Sequence, residues 1–480
     1  MNISLQPDQL AEKLAEQYHL QRQSFLKDTA ESVSERKLHL KNLKRLLVEN
    51  REELLAALCE DYGNRSYHES IIAEYIAVID DIDSTIKHLK KWMKVQKRKV
   101  DHTMYFGAKN RVIPQPLGVV GVIVPWNFPI NLLFSQLAAI FAAGNRAMVK
   151  MSENSLKLSA ILKELCGNYF APEKLQIFEE TGAVGIEFSK IPFDHLIFTG
   201  SGATGRKVMA AAAQNLTPVT LELGGKCPAI IDSDYVLDKA VERIMFVKQF
   251  NAGQICTCVD YVFVHKSQVE EFVTKAKAWV NKHIPDILAK DYTSIIDERS
   301  YQRLQQTIED AQQRGARVIN LTEQQGNAEK RKLPVTLVLD SSDDMLIRNR
   351  ETFGPLLMVL PYESPEEVIN YVNAKDRPLA IYPFTKCKAL QELYISKIMS
   401  GGVTVNDALF HVGQHDLPFG GVGGSGMGHY HGYDGFLTFS KLRPVMYQAN
   451  ITSGKLLAPP YASGWANKIT NALIRLKSKI

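Results

Sequence analysis

Between Gly118 and Leu223 the chain alternates short β-branched runs with apolar-striped helical stretches, and this alternation constrains the fold more than any other feature. The β-leaning runs are 118–124, 146–150, 175–178, 195–199 and 218–223. The stretches between them, 132–143, 155–170, 184–189 and 206–214, have helical periodicity. Parallel strands need a crossover rather than a tight hairpin, and a helix usually supplies it. The pattern therefore predicts an α/β fold built on a doubly wound parallel sheet. With 480 residues the chain exceeds what one core normally organises. A second α/β unit is accordingly expected from about residue 226 to 416.

Ahead of the sheet, residues 6–62 read as helices. Leu10, Leu14, Tyr18 and Leu20 form one stripe, and Leu38, Leu43, Leu46, Leu47, Leu54, Leu55 and Leu58 another. A third helical stretch is expected over 68–93, with the basic block Lys87 to Lys99 as its solvated end, and no chemistry is read into any of these helices. Thr103 to Ile113 predicts a hairpin, two β-leaning pieces around a Gly/Asn turn.

Several function classes lose support at this point. A net charge of +5 from 57 basic and 52 acidic residues does not favour nucleic acid as a partner. No apolar run is long enough for a membrane span and no leader pattern opens the chain, so a cytoplasmic protein is expected. The six cysteines show no zinc spacing, and His429 and His431 lack a third ligand, so no metal is predicted.

Three stretches can carry chemistry. Cys256 lies in Phe250–Asn251–Ala252–Gly253–Gln254–Ile255–Cys256, a turn leading into the β-rich run Tyr261 to Val264. Taken alone it reads as a buried structural thiol; with a lowered pKa it is a nucleophile. Glu222 stands between two leucines ahead of Gly224 and Gly225, where apolar neighbours raise a carboxyl pKa towards that of a general base. Asn127, in Pro125–Trp126–Asn127–Phe128–Pro129, is an amide donor held between prolines and suited to a developing oxyanion. Gly200–Ser201–Gly202–Ala203–Thr204–Gly205 is also a G-x-G-x-x-G pattern between a strand and a helix. Read as a dinucleotide fingerprint, it makes Glu222, 22 residues after Gly200, a ribose ligand.

With Phe198–Thr199–Gly200–Ser201 and Glu351–Thr352–Phe353–Gly354–Pro355, these motifs stand in the order and rough spacing of the aldehyde dehydrogenase superfamily, which nearly the whole chain resembles. The resemblance implies oxidation of an aldehyde to a carboxylic acid through a thiohemiacetal and a thioester. Cys256 would be the nucleophile, Glu222 the base and Asn127 the oxyanion donor. It assigns the adenosine ribose to Lys150 and Glu153, the pyrophosphate to the turn Gly200, Ser201 and Gly205, and the nicotinamide side to Glu351 and Phe353. Glu153 should repel a 2′-phosphate, so NAD is expected and NADP is possible. Met151 stands where the family usually has proline. The implied domains are 1–96 with 117–225 for NAD binding, 226–416 for catalysis, and 97–116 with 428–450 as bridging elements, which makes a homodimer the expectation.

Asp61–Tyr62–Gly63–Asn64–Arg65–Ser66 and the stretch His415 to Gly432 look most like the bacterial coniferyl aldehyde dehydrogenase branch, near the class 3 and fatty aldehyde enzymes. Asn406 and His411 are expected near the substrate entrance. The alternatives are a medium- or long-chain fatty aldehyde dehydrogenase, a non-redox thiol acyl-transferase or hydrolase, and a binding protein without catalysis. Two further features stand apart. Cys258 either fills space or closes a reversible disulfide onto Cys256. Within the tail 451–480, residues 465–477 predict a basic amphipathic helix with Ile469, Leu473, Leu476 and Ile480 on one side, packed on the protein or in weak contact with an anionic membrane.

Overall fold

A computed structural model describes residues 7–102, 105–450, 459 and 464–478. The βα alternation forms a six-stranded sheet whose spatial order is Gly426–Met427, Val219–Leu223, His195–Gly200, Val119–Ile123, Arg146–Lys150 and Leu175–Phe178. All neighbours are parallel except the short strand Gly426–Met427, which runs antiparallel to Val219–Leu223. The chain leaves its first strand in one direction and returns on the other side with His195–Gly200. This is a doubly wound order whose switch point lies between those two strands, where such sheets open a ligand crevice. Both segments that leave the switch point carry a candidate motif, Asn127 after one strand and Ser201 after the other.

The second unit is a seven-stranded sheet in the order Arg317–Asn320, Thr336–Leu339, Leu356–Tyr362, Val259–His265, Cys227–Ile231, Ala380–Phe384 and Gly402–Val403. Only Arg317–Asn320 is antiparallel to its neighbour. A third sheet pairs Gln96–Arg98 with Lys109–Pro116 and the latter with Ser440–Tyr447. The hairpin expected over 103–113 is thus displaced. Its first strand is Gln96–Arg98, inside the basic block read as a helix end, while 105–107 turn and 103–104 lie outside the described residues. The helix stops at Trp92, and the β-pairing of Lys97 with Arg111 outweighs the local propensity of a lysine-rich run.

Helix Val33–Glu49 starts at a capping box in which Ser32 and Glu35 satisfy each other's backbone N–H. It buries Leu40, Leu43, Leu46 and Leu47; Leu38 and Leu20, assigned above to apolar stripes, are exposed. Helix Pro129–Ala143 has proline at its start and left-handed Gly144 at its end, and it is apolar nearly all round because it is buried on nearly every side. The stretch expected as one helix over 68–93 is Tyr67–Ser70, a π-helical segment Ile71–Ile76, and Ala77–Trp92. At the π segment the Ala73 carbonyl accepts a hydrogen bond from Asn131 Nδ2 (2.6 Å), and the Glu74 carboxyl accepts one from the Asn131 backbone N–H (2.8 Å). The wider turn thereby ties this helix to the start of Pro129–Ala143.

The C-terminal helix forms over Gly464–Lys477. Ile469 and Leu476 are exposed, so these two do not pack on the protein as one of the expectations had it, and Ile480 lies outside the described residues. Lys477 instead reaches Asp101 (3.2 Å).

Candidate active site

The cysteine loop is held in a backbone conformation that few residues adopt. Helix Leu237–Gln249 is followed by Asn251, Ala252 and Gly253 with φ of 49°, 50° and 71°, three left-handed residues in a row. Such a turn persists only where its surroundings over-determine it. Here the Asn251 N–H donates to Glu69 (3.1 Å), and Asn251 Nδ2 donates to the carbonyls of Asn127 and Gln254 (3.2 Å each). The Gln254 side chain bonds the Ser294 carbonyl (3.0 Å) and the Ile296 N–H (2.9 Å), and Tyr382 Oη donates to the Thr257 carbonyl (2.6 Å). A Cβ on Gly253 would stand 2.4 Å from the Gly354 carbonyl oxygen, so glycine is needed there for space as well as for φ.

Cys256 emerges from this loop half-buried, in the wall of a cavity of about 410 Å³ that Asn127 also lines. Burial, with a smaller push from the neighbouring Glu351 and Glu222 carboxyls, raises its thiol to about 12. The resting group is therefore the thiol, and a proton acceptor has to be at hand before it can act as a nucleophile. Glu222 stands at the end of strand Val219–Leu223, in register with Thr199 on one side and Gly426 on the other. It is buried, neither carboxyl oxygen has a hydrogen-bond partner in the protein, and burial raises its pKa well above the ordinary carboxylate range. A buried carboxyl without partners costs stability, and a part in the chemistry is one reason for a fold to keep it.

The Asn127 backbone is clamped. Its carbonyl accepts from Arg65 Nη1 (2.7 Å), Tyr62 Oη (3.1 Å) and Asn251 Nδ2 (3.2 Å), and its own amide lies 3.3 Å from the Gln254 carbonyl. Arg65 is fully buried, stacked 4.8 Å over the Tyr62 ring and 4.9 Å over the Phe128 ring, with Nη2 3.0 Å from Glu74. Tyr62 and Glu69 lie in helices read above as free of chemistry, with Arg65 in the turn between them, and that reading is corrected: the tertiary fold brings all three to the loops carrying Asn127 and Cys256. The motif Asp61 to Ser66 was the available signal, but periodicity could not say which loop it would meet.

A second cleft, of about 380 Å³, is lined by Ser201, Gly202, Gly224, Gly225, Lys226 and Glu351 among others. Here the fingerprint reading is revised. Gly202 to Ala213 is already helix, Ser201 is its N-cap, and none of Gly200, Gly202 and Gly205 has positive φ. At Gly205 a Cβ would stand 2.7 Å from a Leu223 methyl, so the glycine serves close helix-to-strand packing. The helix N-terminus and Ser201 present polar groups suited to a pyrophosphate. Glu222 lines neither this cleft nor the thiol cavity, but its carboxyl bears electrostatically on the Cys256 thiol.

Lys150, at the end of its strand, pairs with Glu180 (2.8 Å) and more distantly with Glu153 (3.9 Å), whose side chain is exposed. Glu180, which also accepts from the N–H groups of Gly182, Val184 and Gly185, escaped the sequence reading because nothing local marks it. Phe353, at φ 44°, meets Trp126 edge to face with ring centroids 5.4 Å apart. Asp260 anchors that segment by accepting from Thr352 N–H (2.7 Å) and Oγ1 (2.8 Å), while Lys226 neutralises it. Glu351 is half-buried, its carboxyl is raised by desolvation to about 8, and it accepts from the Gly225 N–H.

A Cβ on Gly224 would stand 2.1 Å from a Glu351 carboxyl oxygen. On the cofactor role that the family resemblance implies for Glu351, Gly224→Ala should therefore displace it and raise the KM for the dinucleotide about tenfold or more, with a smaller effect on the aldehyde KM. Steady-state kinetics varying each substrate separately would check this; an unchanged dinucleotide KM would show that Glu351 does not bear on that cleft.

Asn406 and His411 do not line the thiol cavity. Asn406 Oδ1 accepts from the Thr385 N–H (2.8 Å) and His411 Nδ1 bonds Thr404 (2.8 Å), while Leu409, Phe410 and Val412 form the wall. Cys258 is buried with its thiol 3.7 Å from the Val247 carbonyl, the arrangement expected of a space-filling residue, and both it and Cys256 are free. Among the described residues no group of three or more His, Cys, Asp or Glu side chains is placed to hold a metal.

Comparison with known proteins places this geometry. The model of the aldehyde dehydrogenase family matches residues 11–445. A protein of Pseudomonas aeruginosa described as a probable coniferyl aldehyde dehydrogenase is 44% identical over 456 residues, 95% of each chain. The coniferyl aldehyde dehydrogenase of Pseudomonas sp. strain HR199 is 45% identical over 421 residues, 87% of each chain. Among solved structures, the substrate-bound state of Staphylococcus aureus AldH superposes with a TM-score of 0.90 at 31% identity, covering 96% of this chain and 99% of that one.

Proposed function

We propose, from the premise that the chain belongs to the aldehyde dehydrogenase family and so acts on aldehydes with a nicotinamide cofactor, that it oxidises a coniferyl-type aldehyde to the acid using NAD. One observation carries the assignment of roles: a half-buried Cys256 shares its cavity with a clamped Asn127 and feels a buried, unpartnered Glu222. Cys256, once deprotonated, attacks the carbonyl carbon. The resulting oxyanion takes hydrogen bonds from Asn127 Nδ2 and the Cys256 N–H, donors of a kind worth about 10²–10³ in rate each. The cofactor, when bound in the second cleft, supplies the hydride acceptor. The adduct left on Cys256 is a thioester. Glu222 takes a proton from water, the hydroxide equivalent adds to the thioester, and the acid leaves with the thiolate restored.

The cleft residues suit that cofactor. The Ser201-capped helix fits the pyrophosphate, and Glu351, seated against Gly224 and Gly225, fits the nicotinamide ribose. NAD over NADP is supported at the ribose site, where Lys150 is already neutralised by Glu180 and exposed Glu153 would repel a 2′-phosphate. A cytoplasmic location is supported by six free cysteines. A homodimer is supported by strand Ser440–Tyr447, an edge of the three-stranded sheet with Leu442, Met446 and Tyr447 exposed, since such edges are normally covered. Weak contact of the C-terminal helix with anionic membrane is supported by Ile469 and Leu476 standing exposed beside Arg475 and Lys477.

One preparation tests these points together. Light scattering should report twice the chain mass of 53.9 kDa, and pelleting with anionic vesicles should be partial and lost on deleting 465–480. Absorbance at 340 nm should then rise with NAD and coniferaldehyde faster than with NADP, decanal or hexadecanal. No NADH from any aldehyde would refute the reaction, and faster turnover of hexadecanal would move the substrate class to fatty aldehydes.

A further inference from the structure

The cavity that Cys256 lines mixes apolar walls with polar side chains, among them Asn131, Gln249 and His431, and one cluster of them, Asp81 with Ser135 and His415, has no part in the proposed chemistry. Ile72, Leu132, Phe246, Phe250 and Phe419 supply apolar surface. Asp81, Ser135 and His415 line the same cavity and come from three separate segments: helix Ala77–Trp92, helix Pro129–Ala143 and the loop before Phe419. Ser135 lies six residues into the helix that begins at Pro129, just after Asn127, which at the α-helical rise is about 9 Å along the axis. The polar group therefore stands more than one helical turn along from the oxyanion donor.

Asp81 is buried, and the groups beside its carboxyl among the described residues are the Ser135 hydroxyl, which also lies 3.5 Å from Asn131 Oδ1, and His415 Nδ1 at 3.7 Å from Oδ1. Burial pushes the Asp81 carboxyl up to about 7, the Ser135 hydroxyl opposing this, so the neutral acid is well populated at neutral pH and can donate as well as accept. Carboxyl, hydroxyl and imidazole together offer both senses of hydrogen bond. Such a group facing an apolar cavity is penalised by any ligand that leaves it unpaired.

We propose that Asp81, Ser135 and His415 form a subsite that holds the phenolic hydroxyl of a 4-hydroxy aromatic aldehyde whose carbonyl lies at Cys256. The proposal rests on the coniferyl-type reading above and names the residues that would enforce it. The phenol donates to Asp81 or His415 Nδ1 and accepts from Ser135, while its ring lies against the apolar walls. An alkyl chain would satisfy the walls and strand the three polar groups. Sites built to bond a hydroxyl reject the analogue lacking it far more strongly than apolar pockets reject a missing methylene.

The experiment compares kcat/KM for 4-hydroxycinnamaldehyde and cinnamaldehyde within each of three proteins: the parent, Asp81→Leu and Ser135→Ala. Taking the ratio within each protein cancels any loss common to both aldehydes. The parent should favour the phenol about 10- to 100-fold, less than the largest known discriminations because His415 is partly open to solvent. Asp81→Leu should bring the ratio within about threefold of unity, and Ser135→Ala, the milder change should the first variant not fold, should lower it several-fold. A parent that oxidises both aromatic aldehydes without preference, or variants that keep the parental ratio, would overturn the subsite while leaving the coniferyl-type reading intact. A parent that oxidises decanal but neither aromatic aldehyde would overturn that reading and the subsite with it.

Discussion

Glu222→Gln should release about one equivalent of NADH per active site in a rapid burst and then stop, with steady-state turnover reduced about 10³-fold or more. The amide keeps the shape of a side chain whose carboxyl oxygens have no partner in the protein, so the fold should survive. It cannot take a proton from water, so the thioester on Cys256 should accumulate and appear in intact-mass spectra as an acyl adduct. Because the Cys256 thiol is held at about 12, the burst also asks whether deprotonation depends on Glu222. An adduct formed over minutes instead of milliseconds would show that the same carboxyl serves both steps. Cys256→Ala should give neither burst nor adduct, since no covalent intermediate can form. Normal turnover of Glu222→Gln at saturating dinucleotide would end the assignment of Glu222 as base and return it to the fingerprint role of a ribose ligand.

Replacing Arg65 by leucine should destabilise the protein by about 3–5 kcal/mol, because Glu74, fully buried 3.0 Å from the guanidinium, would be left without its counter-charge. Burial already raises the Glu74 carboxyl, with Arg65 opposing, so the variant should meet this cost partly by protonating Glu74. Catalysis should fall as well, by about tenfold, since the shortest bond to the Asn127 carbonyl disappears. The two effects separate in the double variant Arg65→Leu with Glu74→Leu. Stability should largely return, as it often does when a buried ion pair is replaced by apolar groups. The rate should not, because Asn127 still lacks its clamp. Thermal melts with kcat for the parent and the two variants read this directly; full recovery of kcat in the double variant would limit Arg65 to a structural role.

Much of this protein is legible from local patterns. The βα alternation of 118–223 dictated a parallel sheet because strand and helix periods differ and parallel strands must be joined by crossovers. The glycine and proline signals at Gly144 and Pro129 bounded a helix for reasons confined to one or two residues. Cys256, Glu222 and Asn127 were each recognisable as groups with chemical potential because their immediate neighbours restrict the backbone or desolvate the side chain.

Only the tertiary structure decided how those groups combine. Glu222 could have served the ribose or the thiol, and what separates the two is the packing of a strand end in one sheet against a loop feeding the other, which no spacing encodes. The glycines of 200–205 fit a phosphate loop as a string, yet Gly205 is needed where a helix meets Leu223. Tyr62, Arg65 and Glu69 looked like scaffold because a helix period reports only that one face is buried. What they touch, the Asn127 carbonyl and the Asn251 N–H, lies 65, 62 and 182 residues away in sequence. The lysine-rich run after Trp92 became a strand for the same reason: β-pairing partners are supplied by distant chain, and their hydrogen bonds outweigh propensities of a few tenths of a kcal/mol per residue.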